Sequence, residues 1–388
     1  MKNIRRNIKL DYITTFFSYF SFQSSIWVLY LAHCGMSLTQ IGLLESFFHI
    51  TSMIFEVPSG AAADLLGRKK SMIVSKLCLC ISCVMMIFTR NFWVFGLSFA
   101  IQALGYNFNS GSEEALIYDT MKVLGEEDKY MGVYGKQNMI IELSQGAATV
   151  LGGILAEYSF LWCYVASTIV IVLSLIPVLF MVEVTVNEEK KTEKVPVGEM
   201  VANHFKTSFS ILKSDTRIAK IIGFYAIVFA AHTVLFYYSQ QYYSDLGYNK
   251  IQISFVMLGM SIMSCLGAAL CDRIYGKLGK KLSIICAMVI ALALICFALR
   301  NPAVCIVFFA LTGFCNAVLY PIQSDSLNEL IPSEQRATLI SVSSMCFSIA
   351  MIVIFPLTGM LAEVFSLEQV FVGIGVFLLG FAFVCNRK

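Results

Sequence analysis

The chain has 388 residues, 58% of them hydrophobic and 14% charged, with a formal net charge of +3. Soluble domains hold roughly 45–50% apolar and about 25% charged residues, so these figures exclude a soluble fold, a disordered chain and a coiled coil. The small charge and scattered Lys/Arg exclude a basic nucleic-acid binder, and a mean hydropathy of +0.75 leaves a polytopic membrane protein.

Twelve apolar runs are long enough for a helix to cross the bilayer core, which takes about 20 residues. They fall at 11–33, 40–62, 71–89, 92–118, 131–156, 158–182, 217–243, 250–271, 281–299, 302–327, 334–362 and 366–385. Continuous apolar runs predict helices rather than a barrel, because only a helix satisfies its own backbone in lipid. The expected fold is therefore an all-α membrane protein of twelve transmembrane helices.

The first run follows a basic start (Lys2, Arg5, Arg6, Lys9) and lacks a small-residue cleavage site, so it reads as a span and not a cleaved signal peptide. With the N-terminus inside, only Arg90, Lys250 and Arg300 fall on outer loops, which predicts two cytoplasmic termini. Span one carries Tyr12, Phe16, Tyr19, Gln23, Trp27 and Tyr30 at steps of three or four, with Asp11 placed at the inner mouth. Span two aligns Glu45, His49, Ser52 and Glu56 on one face. Span three reads as nearly all apolar. Its Cys78, Cys80 and Cys83 suit small hydrophobes better than a metal or redox site, and no disulfide framework, metal site or cofactor is expected.

Span four aligns Gln102, Tyr106, Asn109 and Glu113, with Asn107, Ser110 and Glu114 beside them, and span five carries Lys136 and Glu142. Ionisable groups at membrane depth are costly and therefore functional candidates. Glu56 and Glu113 sit roughly 9–12 Å inward from the charges of the neighbouring inner loops by helix rise. They can share a depth, with Lys136 as counter-charge. Either can act as a proton carrier, with Glu45, Glu114 and His49 as further candidates; the alternative is a buried ion pair with Lys136 that fixes helix packing.

The longest polar stretch, 183–216, opens with the mixed-charge run Glu188 to Lys194. Val201, Phe205, Phe209 and Leu212 recur at helical spacing, so this segment is either an amphipathic helix on the inner membrane face or a simple tether. It separates a six-span half, 1–182, from a second, 217–388. Span seven then aligns Tyr225, Phe229, His232, Phe236, Gln240 and Tyr243, and span ten aligns Thr312, Asn316, Tyr320 and Gln323. Span twelve is nearly all apolar.

The halves repeat each other. Gly35 to Ile41 (GMSLTQI) matches Gly247 to Ile253 (GYNKIQI), and Gly67-Arg68-Lys69 matches Gly279-Lys280-Lys281 at the same offset. Gly153-Ile154-Leu155-Ala156-Glu157 matches Gly359-Met360-Leu361-Ala362-Glu363, and Asp119 matches Asp325. Two pseudo-symmetric six-helix bundles follow, of the kind that hold a substrate site near mid-membrane.

Gly60-Ala61-Ala62-Ala63-Asp64-Leu65-Leu66-Gly67-Arg68-Lys69-Lys70 resembles the signature loop between spans two and three of the major facilitator superfamily, and it lies in the matching loop. The segment Leu327 to Thr338, which includes Arg336, is similar to bacterial, drug-efflux-like members. The resemblance implies that Asp64 faces the N-terminus of span eleven, here Pro332-Ser333-Glu334, and that Arg68 pairs with Asp119. It makes Gly60, Asp64, Gly67, Arg68, Lys69, Asp119 and Arg336 a gate. The bare residues read as glycines permitting close packing and a turn, beside a basic anchor.

The resemblance also implies that spans one, four, seven and ten line a cavity. That makes Tyr19, Gln23, Trp27, Gln102, Tyr106, Asn109, His232, Phe236, Gln240, Asn316, Tyr320 and Gln323 substrate candidates. The expected function is proton-coupled efflux of a small amphipathic organic solute by a monomer in the lipid bilayer of a cytoplasmic membrane, without nucleic acid. Uptake by a symporter or facilitator is the alternative. The span-five efflux motif keeps its final glycines, Gly152-Gly153, but Ala148-Thr149 stands where Gly-Pro is usual, which weakens the inference of outward antiport. No catalytic motif or phosphate-binding loop points to an enzyme or to ATP.

Overall fold

The computed structural model describes residues 2–184, 196–330 and 336–386, all of them helical or connecting segments. The charged run 188–194 and Pro332-Ser333-Glu334 lie outside the described residues. The helices of the first half are α1 (Lys2–Tyr19), α2 (Trp27–His33), α3 (Leu38–Leu66), α4 (Arg68–Phe88), α5 (Phe92–Asn109), α6 (Ser112–Leu124), α7 (Tyr130–Tyr158) and α8 (Phe160–Phe180). Those that follow are α9 (Val197–Ser214), α10 (Thr216–Asp245), α11 (Lys250–Leu278), α12 (Lys281–Cys296), α13 (Pro302–Asn328), α14 (Arg336–Val364) and α15 (Leu367–Asn386). Ten helices among the described residues are long and apolar enough to cross a membrane.

The other two of the twelve spans are broken. Span one is interrupted between α1 and α2, where Ser24 Oγ donates to the Ser21 carbonyl at 3.0 Å. Such local side-chain bonds compete with helix continuation. Gly152 of α7 makes room for this segment, since a Cβ there would lie 2.1 Å from the Phe22 carbonyl oxygen. Span four breaks at Ser110–Gly111, with Gly111 in the left-handed region at φ +75°. Because the reading by uniform helical steps assumed unbroken spans, the stripes drawn along spans one and four do not continue as single faces.

The internal repeat holds at the level of individual hydrogen bonds. Gly35 and Gly247 have φ of +88° and +87°. Gly35 N–H bonds to Ala32 O at 2.9 Å and Met36 N–H to Leu31 O at 3.0 Å; Gly247 N–H bonds to Ser244 O at 2.9 Å and Tyr248 N–H to Tyr243 O at 3.0 Å. Both are Schellman ends that satisfy the last helical carbonyls. Each is followed by a capping box, with Gln40 reaching back to Ser37 N at 3.0 Å and Gln252 to Asn249 N at 3.0 Å.

Contacts divide the chain into two units, residues 1–24 with 47–205, and residues 25–46 with 206–388. In the first, α4 packs on α5 and α8, and α1 on α7 and α8; in the second, α11 packs on α13, α12 on α13 and α15, and α10 on α14. The second unit takes in 25–46 because α2 and the start of α3 pack there. Trp27 meets Tyr237 edge-on at 5.0 Å. Tyr238 Oη lies 3.1 Å from the carbonyls of both Leu38 and Phe355. Glu363 accepts from the Thr39 N–H at 2.8 Å. Gly359 permits this approach: a Cβ there would fall 2.2 Å from the Leu38 carbonyl oxygen. The predicted amphipathic segment forms α9, with Phe209 exposed.

Candidate functional site

The signature loop is built around an anion that the sequence reading did not pick out. Gly67 has φ +98° and caps the start of α4. The Glu183 carboxylate accepts from Arg68 N–H at 2.8 Å and Lys69 N–H at 2.9 Å. It thereby satisfies donors left open at a helix N-terminus and complements the helix dipole. A Cβ on Gly67 would lie 2.9 Å from that carboxylate, so both the backbone angle and the contact require glycine. Arg68 pairs with Asp64 at 3.0 Å, one helical turn away, and faces half-buried Asp119. Lys69 Nζ donates to the Leu179 carbonyl at 2.8 Å. Gly60 meets no neighbour among the described residues that a Cβ would strike. The side chain of Arg336 lies outside the described residues.

The densest buried polar group in the first unit centres on Glu113. It opens α6 immediately after the break, where a carboxylate is favoured by the helix dipole. Glu113 accepts from Thr15 Oγ1 at 3.0 Å and from Asn109 Nδ2 at 2.6 Å across the break. Gln137 Nε2 reaches Thr15 Oγ1 at 3.4 Å. Two members came as surprises. Lys76, in the span that reads as apolar, is buried and donates to Ser18 Oγ at 2.8 Å and Asn109 Oδ1 at 3.1 Å. Asp11 does not sit at a mouth: it is fully buried, because α1 begins at Lys2 and carries Asp11 about 13 Å along its axis.

The Asp11 carboxyl faces that of Glu113, and its oxygens find no donor among the described residues. Lys76 is the cation of the group, facing both acids. Lys136, the expected counter-charge, is exposed on α7. A lone Lys inside an apolar run was the signal for Lys76; Asp11 was masked by a late estimate of where span one starts.

The remaining first-unit candidates are spread out. Ser52 and Asn107 bond α3 to α5, through Ser52 Oγ to Asn107 Oδ1 at 3.0 Å and Asn107 Nδ2 to the Ser52 carbonyl at 2.8 Å. His49 is buried, Glu56 half-buried and Gln102 half-buried. Glu114 is exposed and accepts from Tyr130 at 3.2 Å. Tyr19 is half-buried and Tyr106 exposed. Gln23 turns into helix packing, accepting from Ser167 Oγ and reaching Cys83 Sγ at 3.8 Å. Trp27 and Glu45 are buried with the second unit.

In the second unit the stripes of α10 and α13 do converge. A cavity of about 210 Å³ is lined by His232, Phe236 and Asn316, and one of about 340 Å³ by Gln323, Ser343 and Ser344; Phe229, Tyr320 and Phe347 border both. Phe229 and Tyr320 stack at 4.8 Å. The His232 side chain is 6% exposed and its Nε2 has no partner among the described residues. Gln240 is fully buried deeper in α10, with both amide atoms unpartnered among the described residues. Thr312 bonds the Phe309 carbonyl at 2.7 Å and serves the helix itself.

Twelve helical passes in a repeated six-plus-six plan, with a buried acid–base group in one half and cavities in the other, are the plan of a multi-pass membrane transporter. The family model of the Major Facilitator Superfamily matches residues 12–302 and 245–386, and the chain belongs to that superfamily. It is 26% identical to the MFS-type transporter YxaM of Bacillus subtilis (strain 168), over 92% of this chain and 89% of the relative. Among solved structures it is similar to a variant of the nucleoside transporter NupG, with a TM-score of 0.86, 12% identity and 99% of each chain covered. A D-xylose–proton symporter superposes with a TM-score of 0.69 at 16% identity, over 98% of this chain and 96% of that one.

Proposed function

We propose that the protein is a proton-coupled secondary transporter that moves a small amphipathic organic solute across a cell membrane by alternating access, outward in exchange for protons. The observation that carries this reading is the Asp11–Glu113–Lys76 group. Three ionisable side chains are held out of water at a broken helix, and two acids share one base. With all three ionised the group bears an unbalanced negative charge, which a proton neutralises and a change of solvent access releases. The protein works as a monomer in the cytoplasmic membrane with both termini inside, and the Asp64–Arg68 loop acts as a gate at the inner end.

The test is a thermal-shift screen of the purified protein against a solute library, followed by flux of the hits in proteoliposomes. An imposed pH gradient is expected to drive flux in wild type and not in Glu113→Gln; equal pH-driven flux in both removes the proton role. Ala148-Thr149, standing where efflux members carry Gly-Pro, favours a second reading, uptake on the same scaffold. Accumulation of solute with the inward proton gradient, and not against it, selects that reading.

A further inference from the structure

Among the described residues, the two cavities of the second unit hold no Asp, Glu, Lys or Arg in their walls. A charged solute entering them would lose hydration and meet no counter-charge, at a cost far above that for a neutral polar molecule. The walls that both cavities share, Phe229, Tyr320 and Phe347, are flat rings, and Phe229 lies nearly parallel to Tyr320, with 26° between their planes. Rings in that arrangement favour a flat guest packed face-on or edge-on over a puckered one.

The polar groups add a second requirement. His232, more than nine-tenths buried, lines the smaller cavity and its Nε2 has no partner among the described residues; the Ser343 Oγ, on the larger cavity, is also buried without one among them. Buried polar atoms are normally paired, and leaving one unpaired destabilises the protein. Asn316 in the smaller cavity and Gln323 in the larger each offer a donor and an acceptor. A plain arene leaves His232 and Ser343 unsatisfied, whereas ring nitrogens and carbonyls present hydrogen-bonding groups in the plane of the ring.

We infer that these cavities form a subsite for an uncharged planar heteroaromatic ring, bounded by Phe229, Tyr320 and Phe347 and hydrogen-bonded at its edge by His232 and Asn316, with the larger cavity taking a polar substituent. The combined space suits a small molecule, for which sites of roughly 300–1,000 Å³ are usual. The inference rests on the transport reading and sharpens it: it names the chemistry of the cargo.

The experiment uses the full-length protein in lipid nanodiscs and three probe groups at millimolar concentration, with binding measured by calorimetry. The probes are uncharged heteroaromatics (uracil, hypoxanthine, indole), uncharged saturated molecules (xylose, cyclohexanol) and charged aromatics (benzoate, benzylammonium). At least one member of the first group is expected to bind and the other two groups not to. His232→Ala, Asn316→Ala and Tyr320→Leu are each expected to weaken that binding at least about tenfold, the scale of one lost buried contact. Should His232→Ala not fold, His232→Gln replaces it.

Binding by the saturated or charged groups in preference overturns the inference. So does failure of every heteroaromatic to bind, or binding that the folded variants leave unchanged. The two readings fail separately. A solute carried across proteoliposomes without sensitivity to His232 and Asn316 leaves transport standing and removes the subsite. A heteroaromatic that binds through these residues and is never carried does the reverse.

Discussion

Lys76→Met is the sharpest perturbation of the buried charge group. Methionine nearly matches lysine in length, so it removes the charge and the bonds to Ser18 and Asn109 while keeping most of the packing. Asp11 and Glu113 then face each other with no cation between them. Removing one partner of a buried ionic group costs about 3–5 kcal/mol. The protein can limit that loss by taking up one more proton, which for a carboxyl of ordinary pKa about 4.3 costs ~3.7 kcal/mol at pH 7. The two figures agree, so a deficit of about 3–4 kcal/mol is expected at neutral pH. Since the folded variant then holds one more acid proton than folded wild type, its stability falls relative to wild type as pH rises, by ~1.4 kcal/mol per pH unit. The deficit relative to wild type should therefore shrink to about 1 kcal/mol at pH 5. Thermal unfolding in detergent from pH 5 to 8 measures it, and Asp11→Asn added to Lys76→Met should recover most of the loss at pH 7. A deficit that is absent, or flat across this range, refutes the reasoning.

Gly67→Ala should lower stability by about 2 kcal/mol, because a side chain at φ +98° is strained and its Cβ also displaces the Glu183 carboxylate; Glu183→Gln, which removes only the charge, should cost less, about 0.5–1 kcal/mol. Equal losses in thermal unfolding would contradict that division. Gly359→Leu drives a side chain into the Leu38 backbone and should destabilise the packing of 25–46 by about 1–3 kcal/mol. Hydrogen exchange at the Thr39 amide, bonded to Glu363, reads this directly, and Gly223→Ala on open α10 surface should leave it unchanged. At the junction before α7, hydrogen bonds from Lys129 and Arg5 hold the Glu126 carboxyl below its usual range. A depressed acid stabilises the fold above its ordinary pKa, about 4.3, and the effect is lost as pH falls beneath that value. Protection of amides 3–9, taken relative to the intrinsic base-catalysed exchange rate at each pH, should thus be constant from pH 5 to 8 and fall only in stronger acid; a fall near pH 6–7 assigns the contact to another group.

Span number and repeat were legible because apolar length and glycine-marked turns are local properties of the sequence. Gly35 and Gly247 announce the same helix end, and the structure gives them matching hydrogen bonds. The convergence of His232, Phe236, Asn316, Tyr320 and Gln323 was legible for the same reason, since α10 and α13 are continuous and their 3.6-residue periodicity holds. Along spans one and four the same method lost its phase. A break rotates everything beyond it, so Gln23 and Trp27 went to helix packing and Glu113 became the first turn of a new helix. The partners of Glu113 were hidden for another reason. Lys76 and Asp11 lie far from it in sequence, and only the packing of α4 and α1 against α6 brings the three together.

The most direct test of the account separates solute exchange from proton-driven accumulation in one preparation. In proteoliposomes loaded with a transported solute, wild type should show both counterflow and uphill movement driven by a pH gradient. Glu113→Gln should keep counterflow, which needs only the opening and closing of the solute site, and lose uphill movement. Uphill movement that survives in Glu113→Gln at the wild-type rate contradicts the claim that this buried group couples protons to transport.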